Sequence, residues 1–285
     1  MSLDRRLNAV RDDLADIRLR GRAVAARYAA GRPAVVATGL APVRHEPRPG
    51  SPVGTFFHYG EAVRVFDEGD GYAWCQSDRD SYVGYVAADA LSPGGAAVPS
   101  HYVRGMGAYR YPEADLRSPP IDFLPRHSPV RVAQAGIDCR GTSYAALADG
   151  GFLPEGCLAR EPPMSSDLAS AAAPYLGCPY LWGGRSFLGI DCSGLVQEAF
   201  RDLGIAVPRD TDMQRGTIGI AVQIGAVAEL ARNDLVFVPG HVMIGIGDGG
   251  VIHAYGGDMR VRQDPLAGLM KRHGWRLGDL TVRRP

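Results

Sequence analysis

The sequence predicts an α+β domain preceded by two small all-β barrels and an N-terminal helix. Three observations lead to this prediction: an amphipathic spacing at the start of the chain, an internal repeat of short strands, and a final segment in which helical patterns precede short strands. The predicted segments are, in order, an N-terminal helix at 1–33, a first barrel at 34–96, a second barrel at 97–160 and the α+β domain at 161–285.

The N-terminal helix is predicted from apolar residues three and four positions apart. These residues are Leu3, Leu7, Val10, Leu14 and Ile17. Such spacing places the apolar side chains on one face of a helix and leaves the charged residues on the other. We expect the apolar face to pack against a later domain.

The two barrels are predicted from an internal repeat. Val63-Arg-Val65 recurs 67 residues later as Val130-Arg-Val132, and the same shift aligns Phe56 with Phe123. Each copy holds short alternating apolar runs separated by Gly, Pro and Asp, which is the pattern of short strands joined by turns. A unit of this size with several short strands is typical of a small closed barrel, which leaves no sheet edge unpaired.

The α+β domain is predicted from two helical patterns, at 166–176 and 193–203, followed by short apolar runs. The three runs lie at 234–238, 241–246 and 251–254. Pro-Gly and Asp-Gly-Gly turns separate them, so we predict an antiparallel meander. Val261 and the stretch at 280–282 are predicted to add edge strands.

Composition argues against several classes of partner and location. Lys and Arg together number 31, as do Asp and Glu, so no excess charge attracts a nucleic acid or an anionic membrane. No stretch reaches the roughly 18 to 20 apolar residues that span a bilayer. Residues 1–22 are rich in charge and lack the apolar core of a signal peptide. With five cysteines, an odd number, the sequence predicts a cytoplasmic protein with reduced thiols.

The segment from Trp182 to Val196 predicts a reactive thiol. Cys192 lies at the start of a predicted helix, and His241 and His253 lie in apolar runs typical of strands. A thiol attacks as the thiolate, and both a helix N-terminus and a neighbouring histidine favour that charged form. The separation of the two histidines across a turn is even, so both can lie on one face of neighbouring strands. The backbone N–H of Cys192 would supply one donor to an oxyanion.

Two other interpretations of these residues stay open at this point. Buried cysteines are commonly inert members of an apolar core. Alternatively, Cys192, His241 and His253 would bind zinc, although they include no closely spaced ligand pair such as Cys-x-x-Cys. The Asp-Cys-Ser-Gly sequence between a Gly-Gly loop and a helix favours a nucleophile over both.

Five motifs in order resemble those of the NlpC-type, papain-like cell-wall endopeptidases. They are Tyr180-Leu-Trp-Gly-Gly184, Asp191-Cys-Ser-Gly-Leu195, Pro208-Arg-Asp210, Gly240-His-Val-Met-Ile244 and Ile252-His-Ala254. The resemblance implies a papain-like α+β domain with Cys192 as nucleophile, His241 as general base and His253 as the residue that orients it. The two preceding repeats are similar to bacterial SH3-like domains. Together the domains resemble the γ-D-glutamyl-L-diamino-acid endopeptidases, also called dipeptidyl-peptidase VI.

The resemblance also implies substrate-binding residues. In the papain-like domain these are Tyr180, Trp182, Asp191, Ser193, Asp210 and Thr211, and a looser match adds Glu46 and Tyr82 from the first SH3-like domain. A free α-amine needs a carboxylate partner, so Asp210 is the predicted amine anchor, with Glu46 as a second acid. Tyr82 would form a wall beside the amine. Arg185 is expected at the surface.

The implied reaction is hydrolysis of the bond between γ-D-glutamate and a diamino acid, either meso-diaminopimelate or L-lysine. The expected substrates are short murein-derived peptides with a free N-terminal L-alanine, recycled in the cytoplasm, and no nucleic acid, membrane, metal or cofactor is expected to take part. A first barrel that caps the groove would exclude peptides whose alanine is acylated. Two alternatives stay open: a non-catalytic protein that binds wall peptides, and an amidase or acyltransferase built on the same core.

Overall fold

The computed structural model describes residues 3–285. Two compact units make up the chain, one ending at Pro163 and the other beginning at Met164. Across the described residues the structure contains 25 strands and four α-helices. Within residues 3–285, none of the helices has the length and apolar character needed to cross a membrane.

The N-terminal helix predicted for residues 1–33 is wrong. Where the structure describes this segment, it holds two short strands that pair in parallel, β1 (Leu14–Asp16) and β2 (Arg27–Ala29). A single turn of 3-10 helix follows β1. Ile17, which the helical spacing placed on the buried face, is 44% exposed.

Contacts with distant strands explain why this segment is not helical. Ala9 and Leu14 pack in a small core with Trp74. The backbone N–H of Val83 donates to the carbonyl of Arg6 at 2.8 Å, so the segment gains hydrogen bonds from elsewhere in the first unit. Tertiary contacts of this kind override a weak local preference for helix.

Residues 32–93 form one seven-stranded antiparallel sheet. Its strands are β3 (Arg32–Val36), β4 (Leu40–Arg44), β5 (Val53–His58), β6 (Ala62–Gly69), β7 (Tyr72–Ser77), β8 (Val83–Ala87) and β9 (Leu91–Pro93). Their order in the sheet is β5-β4-β8-β7-β6-β3-β9. The predicted alternation is confirmed on β6, where Val63 and Val65 are buried and Arg64 is partly exposed.

The second copy of the repeat shows the same strand pairing over three smaller sheets. Its strands are β10 (His101–Val103), β11 (Gly107–Arg110), β12 (Asp122–Pro125), β13 (Pro129–Val130), β14 (Val132–Cys139), β15 (Thr142–Leu147), β16 (Phe152–Pro154) and β17 (Leu158–Ala159). β10 pairs with β13 and β17 as β3 pairs with β6 and β9. β11–β12, β14–β15 and β15–β16 likewise repeat β4–β5, β6–β7 and β7–β8. The sequence repeat is therefore also a repeat of pairing.

The two copies pack against each other within the first unit. Asp122 accepts hydrogen bonds from the backbone N–H of Gly39 and from the Arg110 guanidinium, both at 2.8 Å. Tyr59, from the first copy, is buried in the apolar core of the second and donates to Asp149. These shared contacts explain why the copies form one compact unit.

The second unit combines four α-helices with a six-stranded antiparallel sheet. The helices are α1 (Leu168–Ala172), α2 (Cys192–Arg201), α3 (Thr211–Thr217) and α4 (Leu266–His273). A small hairpin joins β18 (Arg185–Ser186) to β19 (Gly189–Ile190). The sheet strands are β20 (Ile220–Val222), β21 (Leu235–Val238), β22 (His241–Gly247), β23 (Gly250–Tyr255), β24 (Arg260–Pro265) and β25 (Thr281–Arg284).

The predicted meander is confirmed, with one correction at its edge. The strand order is β20-β25-β21-β22-β23-β24, so β21, β22 and β23 are neighbours in sequence and in space. β24 lies at an edge as predicted for Val261, but β25 is wrongly predicted as an edge strand because β20 pairs along its outer side. The helix predicted at 166–176 is confirmed only in part: α1 ends at Ala172, and a 3-10 turn containing Pro174 follows.

α2 packs against the centre of this sheet. Leu195 and Val196 of the helix share a core with Ile244 of β22 and Ile252 of β23. This packing fixes the beginning of α2 relative to the neighbouring strands, and those strands carry the two histidines identified in the sequence.

Candidate active site

Cys192 is the first residue of α2. The preceding residue, Asp191, has extended backbone geometry and its carboxylate accepts the backbone N–H of Gly194 at 2.7 Å. This is the ordinary N-cap arrangement, in which a side chain satisfies a free N–H of the first turn. As the first residue of α2, Cys192 lies at the positive end of the helix dipole. It is 6% exposed, so its thiol is largely shielded from solvent.

Two glycines allow the loop before α2 to approach the helix closely. A β-carbon at Gly194 would lie 2.3 Å from the carbonyl oxygen of Gly184, and one at Gly184 would lie 2.4 Å from the carbonyl oxygen of Gly189. A side chain at Gly194 would push the loop away from the helix, and one at Gly184 would disrupt the packing of the loop itself. The glycines of both motifs therefore set the position of Cys192.

A buried ion pair holds the residues on either side of the nucleophile. Arg209, 1% exposed, donates to Asp191 at 2.6 Å and to the hydroxyl of Ser193 at 2.7 Å. Asp191 also accepts the backbone N–H of Gly183 at 2.8 Å. Through these contacts Asp191 and Ser193 stabilise the start of α2. The substrate contact inferred for them from the sequence stays a prediction.

The two histidines lie in hydrogen-bonding contact on adjacent strands. His241 opens β22 and His253 lies within β23, and the ring nitrogens His241 Nε2 and His253 Nδ1 are 2.7 Å apart. The other nitrogen of His253, Nε2, is 3.1 Å from Oδ2 of Asp264 on β24. The structure thus aligns His241, His253 and Asp264 in one hydrogen-bonded row, beside the backbone of Val242, which hydrogen-bonds to Cys192.

This row bears on the zinc alternative. Both ring nitrogens of His253 have hydrogen-bond partners, which leaves neither free to bind a metal in this arrangement. Within residues 3–285, no group of three or more His, Cys, Asp or Glu side chains is placed to hold a metal ion. All five cysteines are free.

Comparison with known proteins identifies both parts of the chain. Residues 177–277 match the NlpC/P60 family, and residues 43–91 match the bacterial dipeptidyl-peptidase SH3 domain. The chain carries an NlpC/P60 domain. Cys192, His241 and His253 all lie within the residues that match this family, and the SH3 domain precedes them in the first unit.

Two curated relatives resemble the chain over the NlpC/P60 region. The γ-D-glutamyl-L-lysine dipeptidyl-peptidase of Bacillus cereus is 35% identical over 112 residues, which are 36% of this chain and 32% of the relative. Dipeptidyl-peptidase 6 of Lysinibacillus sphaericus is 35% identical over 100 residues, 35% of this chain and 36% of the relative. The matched region therefore spans about a third of the length of each relative.

A solved structure shares the overall fold. The crystal structure of an NlpC/P60 family protein from Bacillus cereus matches with a TM-score of 0.71 at 19% identity, covering 88% of this chain and 99% of that one. An NlpC/P60 endopeptidase from Photobacterium damselae subsp. piscicida matches with a TM-score of 0.56 at 16% identity, covering 89% of this chain and 70% of that one. At such identities the comparison bears on the fold alone, and it supports a papain-like domain preceded by an SH3-like domain.

The environment of the NlpC/P60 site keeps the thiol and the imidazole uncharged at rest. Burial and the nearby Asp191 carboxylate raise the pKa of Cys192, while hydrogen bonds from the Val242 backbone and Thr211 act against them. Burial, aided by His253 and His273, lowers the pKa of His241 to about 3. Both groups are therefore neutral near pH 7, and a neutral imidazole is able to accept a proton.

The low pKa of His241 predicts a stability loss in acid. The unfolded chain binds this proton near pH 6.5 and the folded NlpC/P60 domain only near pH 3, so the unfolded state holds more protons between these values. Stability therefore falls as pH drops through this window. We expect the thermal unfolding midpoint of wild type to fall more between pH 7 and pH 4 than that of His241→Gln, and equal slopes would contradict the assignment.

Of four further substrate residues inferred for the NlpC/P60 domain, Thr211 and Tyr180 lie near Cys192. The hydroxyl oxygen of Thr211 is 3.9 Å from the sulfur of Cys192. Tyr180 is half-buried, and burial together with Cys192 and Asp191 raises its phenol pKa, so it stays a hydrogen-bond donor. Trp182 is 67% exposed, which leaves its ring available to a ligand. Asp210 precedes α3, and its side chain does not cap that helix.

The two residues inferred from the SH3 domain have different surroundings. Glu46 is exposed and pairs with Arg48 at 2.6 Å. Tyr82 is 3% exposed and belongs to the apolar core of its sheet. A β-carbon at Gly54 would lie only 2.6 Å from the Tyr82 hydroxyl, so this tyrosine contributes to the packing of the domain. The substrate contacts inferred for Glu46 and Tyr82 stay predictions.

Sequence reasoning missed several residues of the NlpC/P60 site. Asp264 and Arg209 were not identified, and Arg185, expected at the surface, is 1% exposed and pairs with Glu198 at 3.0 Å. The only signal for Asp264 was its place as a carboxylate in the stretch around Val261. A row of rings beside the histidines was also missed, formed by Tyr255, His273 and Trp275.

Proposed function

We propose that the protein is a cysteine peptidase that cleaves murein peptides after γ-D-glutamate. The observation that carries the proposal is Cys192 at the N-terminus of α2, in a domain that also aligns His241 and His253. The match of residues 177–277 to the NlpC/P60 family supports it. We assign Cys192 as nucleophile, His241 as general base and His253 as the residue that orients the base.

The proposed reaction follows from this arrangement. His241 takes the proton of Cys192 as the sulfur attacks the γ-carbonyl carbon of the D-glutamyl residue. The backbone N–H of Cys192, at the start of α2, stabilises the oxyanion that forms. His241 then gives its proton to the departing amine of the diamino acid, and the remaining thioester is hydrolysed by water, which His241 deprotonates.

The substrate class is proposed from the relatives and from the residues at the site. One relative is named for γ-D-glutamyl-L-lysine and another as dipeptidyl-peptidase 6. We propose a substrate of the form L-Ala-γ-D-Glu-diamino acid, with meso-diaminopimelate or L-lysine in third position. The carboxylate of Asp210 anchors the free amine of L-alanine, and Tyr180, Trp182 and Thr211 line the peptide.

We also propose that the second repeat, residues 101–159, is a second SH3-like domain. Its support is the strand pairing that it shares with residues 32–93. The proposed setting is recycling of wall peptides in the cytoplasm, where five free cysteines suit a reducing compartment.

The test compares L-Ala-γ-D-Glu-meso-diaminopimelate with the same peptide acetylated at its alanine. Acetylation removes the positive charge that Asp210 is proposed to bind, so we expect kcat/KM to fall at least about 100-fold. Mass spectrometry of the products should show L-Ala-D-Glu and free diamino acid. Comparable turnover of both peptides would overturn the amine requirement, and cleavage at another bond would indicate an amidase of different specificity.

A further inference from the structure

The outer side of His253 contacts a carboxylate that is itself buried and held in place. Asp264 is 8% exposed, and its Oδ2 lies 3.1 Å from His253 Nε2. Its other oxygen, Oδ1, accepts a hydrogen bond from the Arg262 guanidinium at 2.6 Å. Arg262 in turn contacts Asp258. The carboxylate of Asp264 is therefore held between a guanidinium and the histidine row.

This contact determines which nitrogens of the row carry protons. An ionised carboxylate only accepts hydrogen bonds, so His253 donates to it from Nε2–H. The Nδ1 of His253 then has a free electron pair and accepts from Nε2–H of His241, across the observed 2.7 Å. His241 is left with its own electron pair on Nδ1, which is the form that a general base requires.

We propose that Asp264 is a positioning residue that acts through His253 to fix the tautomer of His241 and to stabilise the charge that His241 gains. The proposal rests on the proposed roles of Cys192 and His241. When His241 accepts the thiol proton, the carboxylate of Asp264 stabilises the new positive charge through His253. A neutral group at position 264 would remove that stabilisation and would permit the wrong tautomer.

Other charged groups act on Cys192 or on the row, and they set the background for a pH experiment. Those on α2 and the loop before α3 are Asp191 and Arg209, those on β24 are Arg262 and Asp264, and those on α4 are Arg272 and His273. Among the described residues, Asp264 is the one charged group of this set with a hydrogen bond to a histidine ring of the row. It also opposes the effect of burial, which lowers the pKa of His253.

Asp258 offers a matched control. It is a second carboxylate partner of Arg262, four residues earlier in the chain, and among the described residues it makes no hydrogen bond to either histidine of the row. Asp258→Asn and Asp264→Asn are isosteric, and each removes one negative charge beside the same guanidinium. In the second variant, the amide oxygen stays with Arg262 and the NH2 group takes the place of the oxygen that accepts from His253.

The first experiment measures kcat/KM on L-Ala-γ-D-Glu-meso-diaminopimelate for both variants. We expect Asp264→Asn to lose about 10- to 100-fold and Asp258→Asn to lose less than about threefold, with most of the loss in kcat because ground-state binding is intact. Equal losses in the two variants, or full activity in Asp264→Asn while wild type is active, would overturn the proposal. Inactive wild type would instead contradict the proposed function.

The second experiment follows alkylation of Cys192 by iodoacetamide between pH 5 and pH 10, with the modified site identified by mass spectrometry, and it needs no substrate. We expect Asp264→Asn to react about tenfold more slowly than wild type near pH 6 to 7, because less thiolate–imidazolium pair is present. The rates should converge in alkali, where the thiol ionises without help. Parallel profiles that never converge would indicate distortion of the site and would overturn the proposal.

A double variant covers the case in which Asp264→Asn folds poorly. If Asp264 acts through His253, then its replacement adds little once His253 is changed. We expect His253→Gln and His253→Gln/Asp264→Asn to alkylate at rates within about twofold of each other across this pH range. A further loss of tenfold or more in the double variant would show that Asp264 acts by another route and would overturn the proposal.

Discussion

Cys192→Ala is expected to abolish hydrolysis of L-Ala-γ-D-Glu-meso-diaminopimelate, with kcat/KM reduced by about 10⁴-fold or more. The sulfur of Cys192 is the only protein atom that bonds to a carbon of the substrate in the proposed reaction, so nothing at the site replaces it. The change removes one small buried sulfur at the helix start, so we expect a modest shift in the thermal unfolding midpoint. Peptide turnover followed by mass spectrometry, beside a thermal melt, measures both effects.

Cys178 provides the matched control for this experiment. It lies in the same apolar core and is 8% exposed, close to the 6% of Cys192. Its thiol donates to the carbonyl of Phe187 at 3.1 Å, and burial raises its pKa to about 11. Cys178→Ala should therefore keep wild-type activity. If Cys192→Ala retained a tenth of the wild-type rate, the assignment of the nucleophile would be wrong.

Local sequence signals predicted the second unit better than the first. Glycine and proline turns separated β21, β22 and β23, and no end of these strands differs from the predicted run by more than one residue. The helix prediction for the start of the chain is wrong because the apolar spacing suits a helix, whereas the apolar side chains pack against strands more than 50 residues away. Trp74 packs on Leu14, and no pattern within residues 3–28 contains that contact.

Some residues of the candidate site could likewise be predicted from local sequence signals, and others could not. Cys192 was predicted because an acid, a thiol and a helix start are adjacent in sequence, and His241 and His253 because a short turn brings their strands together. Asp264 and Arg209 depend on the alignment of separate elements. Neither β24 beside β23 nor the loop before α3 is fixed by a local signal, so buried polar partners of this kind become visible only in three dimensions.

Arg209→Met is expected to be the most destabilising substitution near the site. It leaves the carboxylate of Asp191 buried without its cationic partner, and removal of one member of a buried pair typically lowers the free energy of unfolding by about 3 to 5 kcal/mol. Activity should also fall, because Asp191 raises the pKa of Cys192 and Arg209 opposes that effect. Denaturant unfolding measures the first effect. Arg215→Met, on the exposed side of α3, should change stability by less than about 0.5 kcal/mol.

A double variant separates charge from packing in this prediction. Asp191→Asn keeps the oxygen that caps the N–H of Gly194, since asparagine is as good an N-cap as aspartate, but it removes the negative charge and the oxygen that accepts the N–H of Gly183. If the uncompensated charge destabilises Arg209→Met, then Arg209→Met/Asp191→Asn should be more stable than Arg209→Met alone. Losses that simply add would indicate that Arg209 stabilises the domain by filling space. Recovery would show that Arg209 stabilises the domain by compensating the buried charge of Asp191.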